Sequence, residues 1–299
     1  MKTVKCATYE GLDAKVVEVE STLTKGLPSF FIVGMASASI TEAKERVKSA
    51  LLSNDFSFPP KRITIGLSPS DVRKEGSQFD LSIAMMILLD TMEDDFSDWF
   101  VFGELGLDGK VKENLQLYPL VLSLANQKLI KKAIVPHAAL LKLSKIPDIE
   151  FYGVNTLSEA IDMLKNQETI APSIEQGAIE YPFYEIGGEK YYYTKEYEDD
   201  FSDVKGQEVA KRAALIAAAG FHNILLTGSP GCGRSMIAKR LRYILPPMSA
   251  DEILDIAKLD ALDLKDPLYK PHRNIRSPDH TSTLASVFDG GSHKAMIGE

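Results

Sequence analysis

Apolar and polar positions follow different periods along the chain, and the changes of period mark its elements. Ala14–Ser21 (AKVVEVES) alternates apolar and polar residues, the pattern of a half-buried strand. Ser29–Val33 (SFFIV) predicts a second strand, ended by Gly34. Thr41–Asn54 places Ala43, Val47, Ala50 and Leu51 on one helical face, with Thr41 as the expected cap. Arg62–Leu67 then predicts a strand and Phe79–Leu89 a helix. Val101–Leu105, Leu117–Gln127, Lys132–Val135 and Leu157–Leu164 continue as strand, helix, strand and helix. Strands mixed with helices predict a compact α/β or α+β domain over residues 1–165.

The periods fail over residues 166–203, where Pro, Gly-Gly and carboxylates interrupt every run, as in a linker. Six of the eleven tyrosines fall there (Tyr181, Tyr184, Tyr191, Tyr192, Tyr193 and Tyr197). Disordered spacers are poor in aromatics, so part of this segment is expected to dock on a neighbouring domain. A second domain is expected over 204–299. Gln207–Ala219 predicts an alanine-rich helix stopped by Gly220, His222–Thr227 a short buried strand of the parallel type, and Met236–Ile244 a helix.

Composition excludes several classes of protein. The N-terminus is charged throughout and has no apolar core, so it is not a signal peptide. The longest apolar run, Leu81–Asp90, falls short of the about 20 residues that a membrane-spanning helix needs. Cys6 and Cys232 lie far apart with no partner pattern, which predicts neither a disulfide framework nor a zinc site. A cytoplasmic location is expected. The net charge of −8 divides as −3 over residues 1–165, −8 over 166–203 and +3 over 204–299. An acidic average therefore does not exclude nucleic acid, because a local surface of either flanking domain can be basic. Lys61, Arg62, Arg73 and Lys74 bracket the strand RITIGL and its following loop and form a candidate DNA-contacting group, with Asp71 and Glu75 beside them.

The densest chemistry follows the strand expected at His222–Thr227. Gly228-Ser229-Pro230-Gly231-Cys232-Gly233-Arg234-Ser235 reads as a phosphate-binding loop in the required order of strand, glycine-rich loop and helix. Only a loop poor in side chains lets backbone N–H groups wrap a triphosphate, and the start of the next helix supports the anion. Ser235 is the expected hydroxyl ligand to magnesium, and residue 234 the expected contact to the β- and γ-phosphates. That position carries arginine instead of the usual lysine. Guanidinium is planar and forked where ammonium is compact, so Arg234 is expected to hold phosphates but to crowd the γ-phosphate. Cys232 reads as a small residue that fits the loop. His272, His280 and His293 lack metal-ligand spacing, and Ser77 has no base beside it in sequence.

Taken together, these segments resemble the YifB/ComM family of magnesium-chelatase-like AAA+ ATPases over nearly the whole chain. The resemblance rests on KGLPSFFIVGM, TEAKERVKSAL, FPPKRITIGLSPSDVRKEGSQFDLSIA and GELGLDGKV in the first domain. In the second it rests on DVKGQEVAKRAALIAAAGFHNILLTGSPGCG, KRLRYILPPMS and IRSPDHTSTLASVFDGGS. It implies an α+β Lon-protease-like (ribosomal S5 domain 2-like) N-terminal domain at 1–165, followed after the linker by a truncated α/β P-loop AAA+ domain. It adds Val204, Gly206, Gln207 and Met236 to the nucleotide-contacting set. A looser match places Gln78 where a Lon-type domain has its serine nucleophile and Tyr118 near its lysine, which implies a non-proteolytic domain.

The family's activity implies ATP with Mg2+ as cofactors, assembly to a hexamer, and DNA branch migration by a helicase during natural transformation. Two departures stand out. Asp279 occupies a position where family members carry histidine, and the chain stops at Glu299, just before the apolar Asp-Glu strand expected to form Walker B. The chain alone is therefore expected to be inactive as an ATPase. Alternative readings are a chelatase-like ATPase that remodels a protein partner, and a non-hydrolysing interaction module with a nucleotide-binding stub.

Overall fold

The computed structural model describes the chain except residues 1, 12, 90–94, 167–170, 175–176, 178, 264, 266, 280 and 284–299. It divides into two compact units, Met1–Ala178 with Ala261–Asp266, and Ile179–Asp260 with Pro267–Glu299.

In the first unit, β1 (Thr3–Glu10) and β2 (Asp13–Thr24) form an antiparallel hairpin. β3 (Ser29–Val33) lies parallel to β4 (Arg62–Ser68), and β4 pairs antiparallel with β2. On the other side, β1 runs parallel to β5 (Phe100–Val101). A short hairpin, β6 (Glu104–Leu105) with β7 (Val111–Lys112), stands apart. Then β8 (Lys132–Pro136) and β9 (Glu150–Val154) extend the parallel half. The result is a seven-stranded mixed sheet of order β3-β4-β2-β1-β5-β8-β9.

The helices of this unit are α1 (Ala38–Ser53), α2 (Asp80–Leu88), α3 (Leu117–Asn126), α4 (Leu140–Leu143) and α5 (Leu157–Lys165). α2 is buried from Asp80 through Ile87, which its nearly unbroken apolar sequence permits. It packs on β1, β2 and β4, and Ser21 Oγ donates to the Met86 carbonyl at 2.9 Å. α3 packs on β1 and β2, where Ala14 N donates to Ser123 Oγ at 2.9 Å.

Two local expectations are corrected. α1 begins three residues early, after Ser37, and Thr41 sits inside its first turn with Oγ1 donating to the Ser37 carbonyl at 3.1 Å. Val101–Leu105 is not one strand. Phe102 N bonds to Ile134 of β8, but Gly103 N bonds to Gln78, so the chain leaves the sheet there for the start of α2.

The second unit holds α6 (Glu208–Ala219), α7 (Arg234–Arg240), α8 (Ala250–Leu262) and a three-stranded sheet. That sheet is a hairpin of β10 (Phe183–Ile186) and β11 (Glu189–Tyr192), with β12 (Met248–Ser249) paired to β11. The hairpin turns on Gly187 and Gly188 at φ 64° and 88°, the two left-handed residues that a type I′ turn needs. The segment read as a linker thus carries ordered structure. Its Tyr192 is buried against Met248 and Ile253. Its last carboxylates are partnered too: Arg240 reaches Asp199 at 2.8 Å and Asp203 at 3.2 Å.

The strand expected at His222–Thr227 is absent as a strand. Ile224 and Leu226 pack in a small cluster with Val204, Ala214 and Ile237, while Leu225 is 87% exposed. The alternation is that of an extended chain, but no described residue pairs with it, and a strand requires a neighbour for its N–H and C=O groups. The helix expected at Met236–Ile244 splits into α7 and a 3-10 turn at Leu241–Ile244.

Candidate functional site

The glycine loop lies between that extended segment and α7. α6 ends at Gly220, and His222 N closes back on the Ala217 carbonyl at 2.8 Å, so the chain reverses before running toward the loop. Gly231 and Gly233 adopt φ values of 82° and 93°, conformations that disfavour any side chain. Space is not what demands glycine at these two positions, since a Cβ at either would meet nothing within 4 Å. At Gly228 the reverse holds: a Cβ there would sit 2.8 Å from Cys232 Sγ. Cys232 therefore closes the loop on itself, consistent with its reading as a small packing residue.

α7 starts directly after Gly233, and Ile237 N makes the first intrahelical bond, to the Gly233 carbonyl at 3.1 Å. The N–H groups of the preceding turn have no intrahelical acceptor and offer donors to an anion. Arg234 and Ser235 line one cavity of about 420 Å³ together with Ile224, Leu226 and Ile237. Arg234 has no ion-pair partner among the described residues. Gly206 has φ 65° and Gln207 is left-handed at φ 57°, and Gln207 Nε2 donates to the Cys232 carbonyl at 3.5 Å. Val204 is buried in the cluster that holds Ile237. The fold thus brings Val204–Gln207 to the Gly228–Ser235 loop, while Met236 lies on the exposed side of α7. These features fit a bound nucleoside triphosphate with Mg2+: left-handed glycines, an unpaired guanidinium and a serine hydroxyl on one cavity wall.

The basic group of the first unit is dispersed. Lys74 is fully buried, its Nζ donating to the Pro69 carbonyl, and burial lowers its pKa. It cannot meet a phosphate in water. The reason is that the loop after β4 folds back over the β3–α1 junction, where Lys74 N donates to Met35 O and Lys74 O accepts from Ser37 N. Arg73 is exposed but paired with Glu75 at 2.8 Å. Lys61 and Arg62 remain on the surface. The structure adds residues that the sequence reading missed. Arg62 lies 5.3 Å from the ring centre of the half-exposed Phe31, and Lys44 approaches the same ring at 5.8 Å. The alternation of the edge strand β3 is the signal that places Phe31 outward.

Near the start of α2, Gln78 is buried, and its Nε2 donates to the Ala7 and Glu75 carbonyls at 3.2 and 2.8 Å. Tyr118 is also buried. Ser77 has a partner after all: its Oγ donates to Glu104 and accepts from Asn114 Nδ2 at 3.0 Å. Beside it, Arg46 holds Asp80 through two bonds of 2.7 and 2.9 Å. Burial pushes the Asp80 carboxyl above the usual carboxylate range, and the Arg46 bonds pull it back. Neither of these hydrogen-bond partners of Ser77, Glu104 and Asn114, is a histidine or a lysine.

No group of metal-binding side chains occurs among the described residues, and His280 and His293 lie outside them. Asp279 accepts from Thr281 N and Oγ1 at 2.8 and 2.7 Å. No helix among the described residues is long and apolar enough to cross a membrane.

A mixed α/β chain with a glycine loop of this kind belongs to the P-loop-like class of folds, and comparison with known sequences gives the family. Residues 19–139 match the profile of subunit ChlI of Mg-chelatase, and residues 200–299 match that of magnesium chelatase, subunit ChlI. The chain is 34% identical over 288 residues to the competence protein ComM of Haemophilus influenzae, covering 94% of this chain and 54% of that protein. It is 32% identical over 289 residues to YifB of Escherichia coli, with the same coverage of 94% and 54%. Against Rv2897c of Mycobacterium tuberculosis the identity is 31% over 301 residues, covering 96% and 56%. The chain belongs to the YifB/ComM family of magnesium-chelatase-like proteins. It spans about half the length of the curated relatives it matches.

Proposed function

We propose that this chain is the nucleotide-binding part of an AAA+ motor whose full-length form is a hexamer that remodels DNA during transformation and recombination. The observation that carries the reading is the glycine loop with Arg234 and Ser235 on one cavity wall. The relative named as a competence protein supports the DNA-directed part. ATP with Mg2+ supplies the phosphoanhydride whose cleavage drives a motor of this class. Ser235 Oγ would hold the metal, Arg234 would pair with phosphate oxygens, and the N–H groups of Gly231 and of Gly233 to Met236 would cradle the rest, since Cys232 N already donates to the Ser229 carbonyl at 3.3 Å. Val204, Gly206 and Gln207 border the nucleotide.

In this reading residues 1–165 form a Lon-like module without peptidase activity, residues 166–203 connect it to the motor, and the motor domain starts at 204. The buried Gln78, and a Ser77 bonded to Glu104 and Asn114, support the absence of peptidase activity. Lys61 and Arg62, joined by Lys44 and Phe31, form the DNA-facing surface of this module, and Arg73, paired with Glu75, stands outside it.

Titration with a fluorescent ATP analogue and a phosphate-release assay test the core of the proposal. Saturable, Mg2+-dependent binding with negligible turnover is expected of this chain, and no binding up to millimolar analogue sinks the reading. In the full-length protein, replacing Lys61 and Arg62 by alanine should weaken DNA binding and flatten its salt dependence, since each lost phosphate contact releases fewer counterions. An unchanged salt slope removes this surface from the DNA interface. A second reading, a binder that does not hydrolyse ATP even at full length, is favoured by Arg234. Turnover by the full-length protein decides against it.

A further inference from the structure

The second unit holds an aromatic recess that the phosphate loop does not use. Its walls include Tyr184 and Tyr193 from the β10–β11 hairpin, Tyr197 after it, and Tyr243 and His272 opposite, around about 270 Å³. Tyr184 and Tyr193 stack with ring centres 4.7 Å apart and planes inclined by 14°. Tyr197 and His272 meet Tyr243 edge-on, at 5.5 and 5.8 Å. Two of these rings remain largely in water although they wall a concave site: Tyr184 is 55% exposed and Tyr197 46%. An outer ring face on an existing stack is a platform for one more planar group.

Charge narrows what that group is. The lining contains two arginines, Arg242 and Arg273, and no carboxylate. Arg273 is already engaged by Glu252 through bonds of 3.0 and 3.1 Å. Arg242 is held over the Tyr243 ring at 4.5 Å and bonded to its hydroxyl. Its only ion pair among the described residues is a 3.7 Å contact to Glu198, whose side chain is 89% exposed, so that pair is weak. The adjoining recess carries Lys195 and Lys270 as well as Glu196 and Glu198. The arrangement offers ring faces for an uncharged planar heterocycle and one guanidinium for an anion attached to it. An apolar peptide would use the rings and leave Arg242 without an anion.

We infer that this recess binds an unstacked nucleobase through the Tyr184, Tyr193, Tyr197 and Tyr243 rings, with Arg242 taking the attached phosphate. The base comes either from a single strand or from a free mononucleotide, and the two share this chemistry. Stacking tolerates any base, because every base has a π-face, so the site is expected to be general in sequence. It is separate from the glycine loop, none of whose residues line it. The strand form of the inference rests on the DNA reading above; the mononucleotide form does not.

The test uses the full chain with two probes that lack a triphosphate, fluorescein-labelled (dT)12 and thymidine 5′-monophosphate. Replacing Tyr184 and Tyr197 together by alanine should weaken binding about tenfold or more, at the strength usual for lost base stacking. Tyr184→Phe with Tyr197→Phe should stay within about twofold, because the ring faces remain. Arg242→Gln should weaken both probes and leave binding of thymidine, a control that lacks the phosphate, unchanged. Binding of the ATP analogue at the glycine loop should not change in any of these variants, which also shows that they fold. Tight (dT)12 binding assigns the site to a strand, and equal binding of both probes assigns it to a mononucleotide. The inference is overturned if neither probe binds, or if the alanine pair binds as well as the wild type. A 4-thiothymidine strand that crosslinks only outside residues 181–198 and 242–248 overturns it too. Because the ATP analogue is scored separately, failure here leaves the phosphate-loop reading standing, and the reverse also holds.

Discussion

In the proposed nucleotide site, Arg234 stands where a compact ammonium usually meets the phosphates, and it lines the same cavity as Ser235. A planar fork reaches two oxygens at once but needs more room than a point charge. Arg234→Lys should therefore tighten ATP binding, by about tenfold, or roughly 1.4 kcal/mol. Competition titration against the fluorescent analogue measures it, and an equal or weaker affinity refutes the crowding argument. His272 makes a second residue-scale prediction. Burial, and then the nearby Arg242 and Lys270 charges, hold its pKa below the ordinary 6.5, with Glu198 acting the other way. The unfolded chain takes up a proton as pH falls through about 6.5, while the folded His272 resists it, so stability is present above that pH and lost below it. Thermal melts followed by tyrosine signal at pH 7.5 and 5.5 should show this loss, and His272→Phe should shrink it. A variant with an unchanged pH dependence assigns the effect to another group.

Among the elements, the β3–β4 edge is the most sensitive to a single change. Gly34 ends β3 at φ 111°, and a Cβ there would run into the Leu67 backbone carbonyl of β4. Backbone cannot move aside as a flexible side chain does. Gly34→Ala should thus cost upward of about 2 kcal/mol, since a strained φ and a backbone clash add. Denaturant unfolding followed by Trp99, which is buried in the same unit, reads the loss. A change under about 0.5 kcal/mol would show that the turn relaxes freely. Strongly periodic elements such as β3, β4, α3 and α5 were legible to within a residue or two, because one buried face dictates their spacing. β1 and β9 were not read as strands. β1 owes its identity to its neighbours, pairing with β2 over Thr3–Glu10 and with β5 at Lys5. The β10–β11 hairpin was hidden by its carboxylates, although Gly187-Gly188 is the turn pair that a hairpin search would seek.

At the scale of the whole molecule, the first unit closes its own core around α2 and a seven-stranded sheet. Expressed alone, residues 1–178 should fold, with a cooperative Trp99 transition, and should not degrade casein. Labelling of Ser77 by a serine-directed covalent inhibitor would overturn the second expectation. The second unit presents its apolar surfaces differently. Val209, Leu215, Ile216 and Leu225 are exposed, from 48% to 87%. The half-buried Ile224 and Leu226 lie on an extended segment that has no strand partner among the described residues.

From the chain alone came the glycine-rich segment Gly228–Ser235, the helix before it, the mixed α/β class and the family. These depend on residues adjacent in the chain, where glycine conformation, helical period and motif order act locally. Which charges reach water was set by the packing of distant segments. Lys74 and Arg73 are neighbours in sequence, yet a loop folding back over β3 buries one and leaves the other on the surface beside Glu75. That packing alone joined Tyr184 and Tyr197 to Tyr243, Arg242 and His272 across some ninety residues, and gave Ser77 its partner Glu104. Burial and distance between residues remote in sequence are set by how the elements pack, and no local pattern carries that information.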